Sequence, residues 1–439
     1  MVSKVKFCVS FALLQFMKLG LFTPAASGHL NPALALAKEL TRRTHEVKLF
    51  CVPEARQASE LAGCKFVALQ SARLPSGASV EERQVLEGKS GPAAVFSIIK
   101  LLTDLAERYL QEADQVLSEH RDLDGLLIDV VSPELFLVAE KYQLSYVAFS
   151  SSIPVTLTSA VPPAIFSWQH RADGLGRLRN WLGWQLLAPV LRPAHRLENQ
   201  KADQWGLPRS TKPLDPRRAS AYLTTCPPNF DFPQPDGAQY TYCGPFVDPE
   251  IRVHIPFDWS QIPLEPPLVY ASLGTEFNNQ VDIYRMILQA LQGMDVSLVV
   301  SVGKNVADSE VHCLQALNPT AIVVRSAPQL ELLQRASAFI THAGMNSVLE
   351  SLIYGVPTIA IPITADQPGI AARIRCAGVG EMITPKQLTP ERLREKLTRA
   401  MSEPSYQLNL KKFQDWIAAH PGIVLAADEI EKVLSSPRL

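Results

Sequence analysis

The sequence has no excess of either charge and no apolar run long enough to cross a membrane. Its 439 residues include 42 lysines and arginines against 43 aspartates and glutamates, which gives a formal net charge of -1. A chain without a global positive field is poorly suited to hold a phosphate backbone, so a nucleic acid is not expected as the main partner. No uninterrupted apolar stretch reaches the roughly 18 to 20 residues of a membrane-spanning helix. We therefore expect a soluble protein without stable membrane insertion.

Cysteines are few and follow no metal-binding or redox pattern. There are seven, an odd number, without a C-x-x-C pair or the Cys/His spacing of a metal site. Scattered thiols of this kind are typical of buried cysteines in a reducing compartment, so we predict a cytoplasmic protein without a metal site. The seven are Cys8, Cys51, Cys64, Cys226, Cys243, Cys313 and Cys376.

The first sixteen residues imitate a secretory signal. Two lysines precede a mostly apolar run over residues 7–16. No small-residue cleavage site precedes the first strand-like run, residues 18–23, and cleavage there would leave that strand without a lead-in. We therefore interpret residues 1–16 as an N-terminal extension, with Met1 an upstream start ahead of the natural one near Met17.

Strand-like and helix-like segments alternate over nearly the whole chain, which is typical of βαβ units around parallel sheets. The length exceeds what one hydrophobic core usually holds, and a hydrophobic fraction of 47% is that of a globular protein. A Pro-, Asp- and Gly-rich stretch over residues 226–267 separates two such series. The pattern predicts an α/β protein with two similar-sized domains and a cleft between them. The predicted boundaries are 17–243, a linker over 244–266, 267–405, and C-terminal helices over 406–439.

Between residues 151 and 213 the alternation loosens. This segment holds Trp168, Trp181, Trp184 and many prolines, together with a basic and apolar stretch over residues 177–196. Three interpretations are open: one or two helices packed on the first domain, a lid or binding loop, or a surface that meets a membrane.

The most informative run covers residues 336–367. A strand is predicted to end at Thr341, and His342-Ala343-Gly344 then turns the chain into a helix. A helix start presents backbone N–H groups and the positive end of a dipole, and Gly344 lets an anion approach the backbone. A pyrophosphate is therefore the natural occupant. The helical positions predicted to face the core are Met345, Val348, Leu349 and Leu352.

Polar side chains follow on this helix and after the next strand. Asn346 and Glu350 are four residues apart, so they project from one face, away from the apolar stripe. A carboxylate there can accept two hydrogen bonds from a ribose diol. Asp366 and Gln367 are predicted at the carboxyl end of the following strand, the edge where open α/β sheets bind ligands. The alternative is that Glu350 and Asp366 are solvated and that His342 caps the helix.

Together these residues resemble the donor-binding signature of the UDP-glycosyltransferase family, in particular its bacterial macrolide and carotenoid glycosyltransferases. In that signature a His-x-Gly-x-Asn-Ser run is followed by a Glu four residues after the Asn and by a later Asp-Gln pair. The matching residues are His342, Gly344, Asn346, Ser347, Glu350, Asp366 and Gln367. The resemblance implies that His342 and the adjacent backbone hold the pyrophosphate, Glu350 the ribose, and Asp366 with Gln367 the hydroxyls of the transferred sugar.

Two further segments resemble the same family. Ser272-Leu273-Gly274-Thr275 resembles the turn that contacts the diphosphate, and Ala327-Pro328-Gln329 resembles the Pro-Gln element at the nucleobase. Plant members carry Trp where this chain has Ser326 and Met345. The resemblance is therefore to a bacterial-type member, in which the base would rest on Arg325 or on backbone.

The resemblance also assigns a base in the first half of the chain. His29 lies in a Gly-His-x-x-Pro run, predicted as the turn after the first strand and just before a helix opened by Pro32. Related enzymes keep there the base that deprotonates the acceptor hydroxyl, and they place the aspartate that orients it where Asp129 stands. The alternatives are that His29 is an ordinary surface residue and that Asp129 caps the segment after it.

The resemblance implies the GT-B fold, two facing Rossmann-like domains with the acceptor on the first and the nucleotide sugar on the second. The C-terminal helices would cross back to the first domain. The expected reaction moves a hexose, glucose as the first choice, from a UDP-sugar to a hydroxyl of an apolar small molecule, with inversion. UDP-sugar is a co-substrate, and neither a cofactor nor a metal is expected. The alternatives are a nucleotide-sugar epimerase of the same fold and a non-catalytic sugar-nucleotide binding protein.

Overall fold

The structure is a computed structural model that describes residues 16–69, 91–212, 218–235, 240–275 and 278–435. For residues 91–102 only the backbone is described. The predicted N-terminal extension lies outside the described residues, apart from Phe16.

The first domain is built on a seven-stranded parallel sheet of order β3-β2-β1-β4-β5-β6-β7. The central strands β1, β4 and β5 are almost wholly buried, because helices cover both faces of the sheet. Its strands are β1 (Lys18–Phe22), β2 (Glu46–Cys51), β3 (Lys65–Ala68), β4 (Gly125–Asp129), β5 (Ser145–Ser150), β6 (Ala221–Thr224) and β7 (Thr241–Tyr242). Its helices are α1 (Ser27–Arg42), α2 (Arg56–Leu61), α3 (Gly91–Glu119), α4 (Glu134–Lys141) and α5 (Gly174–Trp205).

The second domain is built on a six-stranded parallel sheet of order β10-β9-β8-β11-β12-β13. Its strands are β8 (Leu268–Ser272), β9 (Ser297–Ser301), β10 (Ile322–Val324), β11 (Ala336–Thr341), β12 (Thr358–Ala360) and β13 (Gly380–Met382). Its helices are α6 (Val281–Leu291), α7 (Asp308–Leu317), α8 (Gln329–Leu333), α9 (Met345–Tyr354), α10 (Gln367–Ala377) and α11 (Pro390–Ser402). The four positions of α9 predicted to face the core are buried, which confirms that prediction.

Two helices follow, α12 (Pro404–Ala419) and α13 (Gly422–Leu434). The sequence predicts that residues 406–439 cross back to the first domain. Phe413 of α12 lies in a cluster shared by α9 of the second domain and Phe230 of the first, with the Phe230 and Phe413 ring centroids 6.2 Å apart. Helix α13 lies on the first domain, where Glu431 accepts hydrogen bonds from Arg43 Nη1 at 2.7 Å and His45 Nε2 at 2.9 Å. The glycine at 422 permits the crossing, because a Cβ there would lie 2.5 Å from the carbonyl oxygen of Gly244. No described helix is both long and apolar enough to cross a membrane.

The segment whose alternation loosens contains one long helix, α5, preceded by an irregular loop from Ser151 to Asp173. The side chain of Asp173 accepts a hydrogen bond from Gly176 N and caps the helix. The loop packs beneath α5, where Trp184 Nε1 donates to the carbonyl of Thr158 at 2.8 Å. The described part of the segment therefore contains a helix packed on the first domain, as the first of the three interpretations expects.

Candidate active site

The carboxyl ends of β1 and β4 bring together a histidine and an aspartate that are 100 residues apart. His29 lies in the first turn of α1, and Asp129 is the last residue of β4, which pairs in parallel with β1. His29 Nδ1 is 2.9 Å from Asp129 Oδ2. The predicted pairing is therefore present. The helix begins at Ser27, five residues before the proline that was predicted to open it.

The Asp129 carboxylate is held in a fixed orientation. Its side chain is fully buried, Thr23 Oγ1 donates to Oδ2 at 3.3 Å, and the backbone N–H of Val131 donates to Oδ1 at 3.2 Å. A carboxylate accepts hydrogen bonds only, so its contact places a proton on His29 Nδ1 and makes Nε2 the basic nitrogen. This geometry excludes the interpretation of Asp129 as only a local cap, because its Oδ2 holds the ring.

A serine that the sequence analysis missed also contacts this ring. Ser151 Oγ lies 3.0 Å from His29 Nδ1. Its neighbour Ser152 donates from Oγ to Asp366 Oδ2 in the second domain. Both serines directly follow β5, so they stand at the same sheet edge as His29. The run of three serines from Ser150 at a strand end is the signal that could have pointed to them.

The N-terminus of α9 faces the N-terminus of α1. Gly344 is the N-cap of α9, and no side chain caps the first turn. A helix start of this kind can bind an anion through its backbone N–H groups. Asn346 Nδ2 donates to the carbonyl of Gly28 at 2.8 Å, and Ser27 Oγ is 2.7 Å from Thr275 Oγ1. The start of α9 therefore contacts Gly28, the residue that directly precedes His29.

Pro32 explains why the Gly28 carbonyl can accept this bond. In a helix that carbonyl would accept from the N–H four residues later, and proline has no N–H. Pro32 lies inside α1, four residues after Gly28. The oxygen left without its helical donor is the one that Asn346 contacts across the cleft.

Pro32→Ala restores the N–H that would compete with Asn346 for the Gly28 carbonyl. We expect the KM for the nucleotide sugar to rise about two- to tenfold, the range that one net hydrogen bond corresponds to. Steady-state kinetics measures it. Pro390→Ala is the matched control, since that proline is the first residue of α11, where a helix forms no N–H bond. An unchanged KM would contradict the role given to Pro32.

His342 is held between two glycines. A Cβ on Gly274 would lie 2.6 Å from His342 Cε1, and a Cβ on Gly344 would lie 2.5 Å from its Nε2. Burial lowers the pKa of His342 to about 4, while a hydrogen bond with the backbone of Ser272 opposes that shift. The ring is therefore neutral at pH 7, and it can offer a diphosphate a hydrogen bond but no charge. Since Gly344 is the N-cap, the interpretation of His342 as the helix cap is wrong.

Gly344→Ala inserts a methyl group where the His342 ring packs, at 2.5 Å from Nε2. We expect the His342 ring to be displaced into the predicted diphosphate site at the start of α9. The affinity for UDP should then fall at least about tenfold, because the diphosphate can no longer approach the backbone closely. Isothermal titration calorimetry with UDP tests this. Gly174→Ala is the control, because a Cβ there meets no atom within 4 Å. Equal affinities in both variants would disprove the packing argument.

Glu350 is buried, so its interpretation as a solvated residue is wrong. Gln329 Nε2 donates to Glu350 Oε2 at 2.5 Å and to Ser347 Oγ at 3.2 Å. Arg252 Nη2 donates to Glu350 Oε1. Burial raises the pKa of Glu350, and the charge of Arg252 and the bonds from Gln329 and Arg252 oppose the rise.

Arg252 is the second residue that the sequence analysis missed. It follows the short turn Pro249–Ile251 of the linker, which Lys38 of α1 holds through Asp248 at 2.8 Å and Glu250 at 2.5 Å. An arginine in a linker carries no sequence signal of a role in a distant site. Only the folded linker brings this guanidinium to Glu350.

The remaining predicted donor residues occupy the rim of the second sheet. Asp366 is half-buried and bonded to Ser152 rather than solvated, and Gln367 Oε1 accepts from the backbone of Ile363 at 2.8 Å and Thr364 at 3.0 Å. Ser272 Oγ accepts from Gly274 N at 3.4 Å. These contacts shape the two turns that border the cleft.

The predicted nucleobase region is partly occupied by internal contacts. Arg325 Nη1 donates to the carbonyl of Val306 at 2.8 Å, and Nη2 pairs with Asp308. Ala327 is buried. The amide of Gln329 is used by Glu350 and Ser347, as described above, so stacking of a base on Arg325 stays a prediction.

Residues 229–418 match the family model described as UDP-glucoronosyl and UDP-glucosyl transferase. This part of the chain is similar to the UDP-glycosyltransferase family, and the chain is a glycosyltransferase. It is 25% identical over 416 residues to zeaxanthin glucosyltransferase of Pantoea ananas, with 94% of each chain covered. It is 26% identical over 425 residues to 4'-demethylrebeccamycin synthase of Lentzea aerocolonigenes, with 93% of this chain and 97% of that protein covered.

The fold of this glycosyltransferase is GT-B, with two Rossmann-like domains. The solved structure of the glycotransferase of kitacinnamycin superposes with a TM-score of 0.73 at 23% identity, over 95% of this chain and 99% of that one. The family match contains every predicted donor residue from Ser272 to Gln367. His29 and Asp129 lie outside it, so their roles depend on geometry.

Proposed function

We propose that this glycosyltransferase moves a hexose, with glucose as the first choice, from a UDP-sugar to a hydroxyl of an apolar small molecule, with inversion. The observation that carries the proposal is the bond from Asn346 to the Gly28 carbonyl, since it sets the His29–Asp129 pair opposite the uncapped start of α9. The name of the Pantoea ananas relative, a zeaxanthin glucosyltransferase, supports glucose and an apolar hydroxylated acceptor.

The reaction we propose is one in-line displacement. His29 Nε2 takes the proton of the acceptor hydroxyl as its oxygen forms a bond to the anomeric carbon, and the bond from that carbon to the diphosphate oxygen breaks. Asp129 stabilises the imidazolium through Nδ1. The backbone N–H groups at the start of α9 stabilise the charge that grows on the departing UDP.

The donor would lie along the second domain. We assign the diphosphate to the α9 start and the turn of Ser272, Gly274 and Thr275, and the ribose to Glu350. The sugar hydroxyls go to Asp366 and Gln367, and the base to the region of Arg325, Ala327 and Gln329. The bond between Ser152 and Asp366 supports this placement, since it brings the sugar subsite to the serine loop beside His29.

Transfer is tested by following product mass and release of the nucleoside diphosphate, which is UDP from UDP-glucose and UDP-galactose and dTDP from dTDP-glucose. Each donor is supplied with and without hydroxylated carotenoids, flavonoids and polyketides. We expect UDP release only when an acceptor is present, and a product heavier by one hexose residue. Interconversion of UDP-glucose and UDP-galactose without an acceptor would instead identify an epimerase. Tight donor binding with no turnover on any acceptor would identify a non-catalytic binding protein.

The ion pair between Arg252 and Glu350 predicts a specific kinetic signature. Because burial raises the pKa of Glu350, Arg252→Met raises that pKa further by removing the charge that opposes burial. The ionised carboxylate accepts from a ribose diol more strongly than the protonated acid, so the KM for UDP-glucose should rise about tenfold or more near neutral pH, with kcat changed less.

The sign of the pH effect follows from the same pair. The KM of the wild type should increase as pH falls through the raised pKa of Glu350, and in Arg252→Met that increase should begin at a higher pH. Arg252→Lys should restore part of the affinity, and Arg335→Met in α8–β11 serves as the control because it removes an arginine that stacks on Trp259 instead. A fall in kcat at constant KM would refute the assignment.

A further inference from the structure

The outward side of α5 carries a row of large apolar residues. Leu175, Leu178, Leu182 and Leu186 stand at positions i, i+3, i+7 and i+11, which share one helix face, and each is between 49% and 70% exposed. Trp181 beside them is 51% exposed. We name these five residues the α5 leucine face. A contiguous exposed patch of this kind marks an interaction site rather than scattered surface leucines.

The opposite side of the same helix is buried against the loop after β5. Asn180 Nδ2 donates to the carbonyl of Ser159 at 3.0 Å, and a Cβ on Gly183 would lie 2.8 Å from the Trp168 ring. The helix is therefore anchored through its inner side. Packing within the domain thus accounts for the inner side and leaves the α5 leucine face unexplained.

The charges within residues 174–197, which include the α5 leucine face, have one sign, and the exposed Asp173 that precedes them is paired with Arg171. Residues 174–197 contain four arginines, at 177, 179, 192 and 196, and no aspartate or glutamate, although the whole chain carries a net charge of -1. Arg177, Arg192 and Arg196 are exposed, and within the part of the chain that the structure describes they form no ion pair. Positive charge is thus concentrated on and beside the apolar row.

We propose that the α5 leucine face docks this enzyme on the surface of a bilayer that contains anionic lipids. Leucines and a tryptophan on one side of a helix enter the boundary between headgroups and acyl chains, while the arginines beside them reach lipid phosphates. The helix lies on the bilayer and does not cross it. A second copy of the chain fits the α5 leucine face less well than a bilayer does. A symmetric contact would place the four arginines of one copy against the four of the other, and like charges repel.

The position of α5 would let a docked enzyme take its acceptor directly from the bilayer. The loop under the helix starts at Ser151, whose Oγ is 3.0 Å from His29 Nδ1. The loop of residues 151–173 therefore connects the base of the first domain with the helix that carries the docking face. An apolar acceptor dissolved in the bilayer would reach the cleft without passing through water. Transfer of its apolar surface from the bilayer into water would be unfavourable.

Co-sedimentation with lipid vesicles tests the proposal. Vesicles of phosphatidylcholine alone are compared with vesicles of phosphatidylcholine and phosphatidylglycerol. We expect binding only to the second kind, with a partition coefficient that falls about tenfold or more at high salt. Leu178→Ser with Leu182→Ser, and separately Arg192→Gln with Arg196→Gln, should each lower it at least about tenfold.

Matched controls distinguish binding through the α5 leucine face from non-specific hydrophobic binding to vesicles. Leu264 and Leu408 are 98% and 67% exposed elsewhere on the molecule, so Leu264→Ser with Leu408→Ser should leave the partition unchanged. Circular dichroism and UDP binding show that each variant is folded. The proposal is overturned if the wild type does not bind anionic vesicles. It is also overturned if Leu264→Ser with Leu408→Ser loses as much binding as Leu178→Ser with Leu182→Ser. It is also overturned if sedimentation velocity shows a dimer that Leu178→Ser with Leu182→Ser abolishes.

Discussion

His29→Ala is expected to lower kcat by about 10²- to 10⁴-fold, the contribution of a positioned general base, while the Kd for UDP stays within about threefold. The physical reason is that, in the mechanism we propose, the imidazole on the first domain acts on the acceptor, whereas every donor contact that we assign lies on the second domain. Single-turnover kinetics and calorimetry with UDP measure the two quantities. His254→Ala, in an exposed part of the linker, is the control and should change neither. Equal losses of turnover and UDP affinity would show that His29 is not the base.

Asp129→Asn should give a comparable loss of kcat, about 10³- to 10⁴-fold, without displacing the ring. An amide can donate its N–H to Nδ1, and Ser151 Oγ at 3.0 Å can donate there too, which would move the ring proton to Nε2 and remove the base. Ser151→Ala should change kcat less than about tenfold, since Asp129 stays the acceptor at 2.9 Å. An Asp129→Asn enzyme with near-normal turnover would contradict the tautomer argument.

Asp231→Asn is expected to lower the free energy of unfolding by about 3–5 kcal/mol, because it leaves a buried guanidinium without its counter-charge. Asp231 and Arg373 are each 1% exposed, and Oδ1 accepts from Nε at 2.9 Å and from Nη2 at 2.7 Å. Tyr242 OH and Gln234 Nε2 donate to Oδ2 at 2.9 Å and 2.8 Å. Urea denaturation followed by tryptophan fluorescence measures the change.

Two comparisons isolate the buried pair. Asp415→Asn removes the partner of Lys411 in an ion pair whose side chains are 63% and 67% exposed, and it should cost less than about 1 kcal/mol. Asp231→Leu combined with Arg373→Met should recover much of the loss, because replacing both charges by apolar groups is often neutral or stabilising. A double variant as unstable as Asp231→Asn would show that the lost stability has another origin.

The buried pair also links stability to the site. Arg373 belongs to α10, whose first residue is Gln367, and Gly369 N of the same helix donates to the carbonyl of Ala164 at 2.7 Å. The segment around Asp231 thus fixes the helix that follows Asp366. We therefore expect Asp231→Asn to raise the donor KM in addition to lowering stability.

Local sequence was sufficient for the parts of the site that lie at strand ends. His29 and Asp129 are far apart in the chain, yet His29 follows β1 and Asp129 ends β4 of one parallel sheet, and the carboxyl ends of such strands meet at one edge. The helix start at Gly344 could also be predicted, because a glycine between a strand and an amphipathic helix is itself a local feature. The apolar stripe of α9 was predicted from periodicity for the same reason.

The same periodicity gave a wrong prediction for the exposure of Glu350, which is buried. It lies off the apolar stripe of α9, so the sequence predicted an outward position, but α8 and the linker cover that side with Gln329 and Arg252. A similar cause hid β6 and β7, whose four and two residues lie near or within the Pro-rich connection and are too short for a clear period. The long helix α5 was obscured by its internal Pro189 and Pro193.

By itself the sequence determined the two α/β domains, the strand ends that carry the candidate site, and the start of helix α9, because these depend on residues close together in the chain. Only the tertiary structure decided which side chains complete the site: Ser151 on His29, Ser152 on Asp366, and Arg252 on Glu350. Each of these contacts joins segments separated by about a hundred residues or more, so its formation depends on how the two domains and their linker pack together rather than on any local pattern.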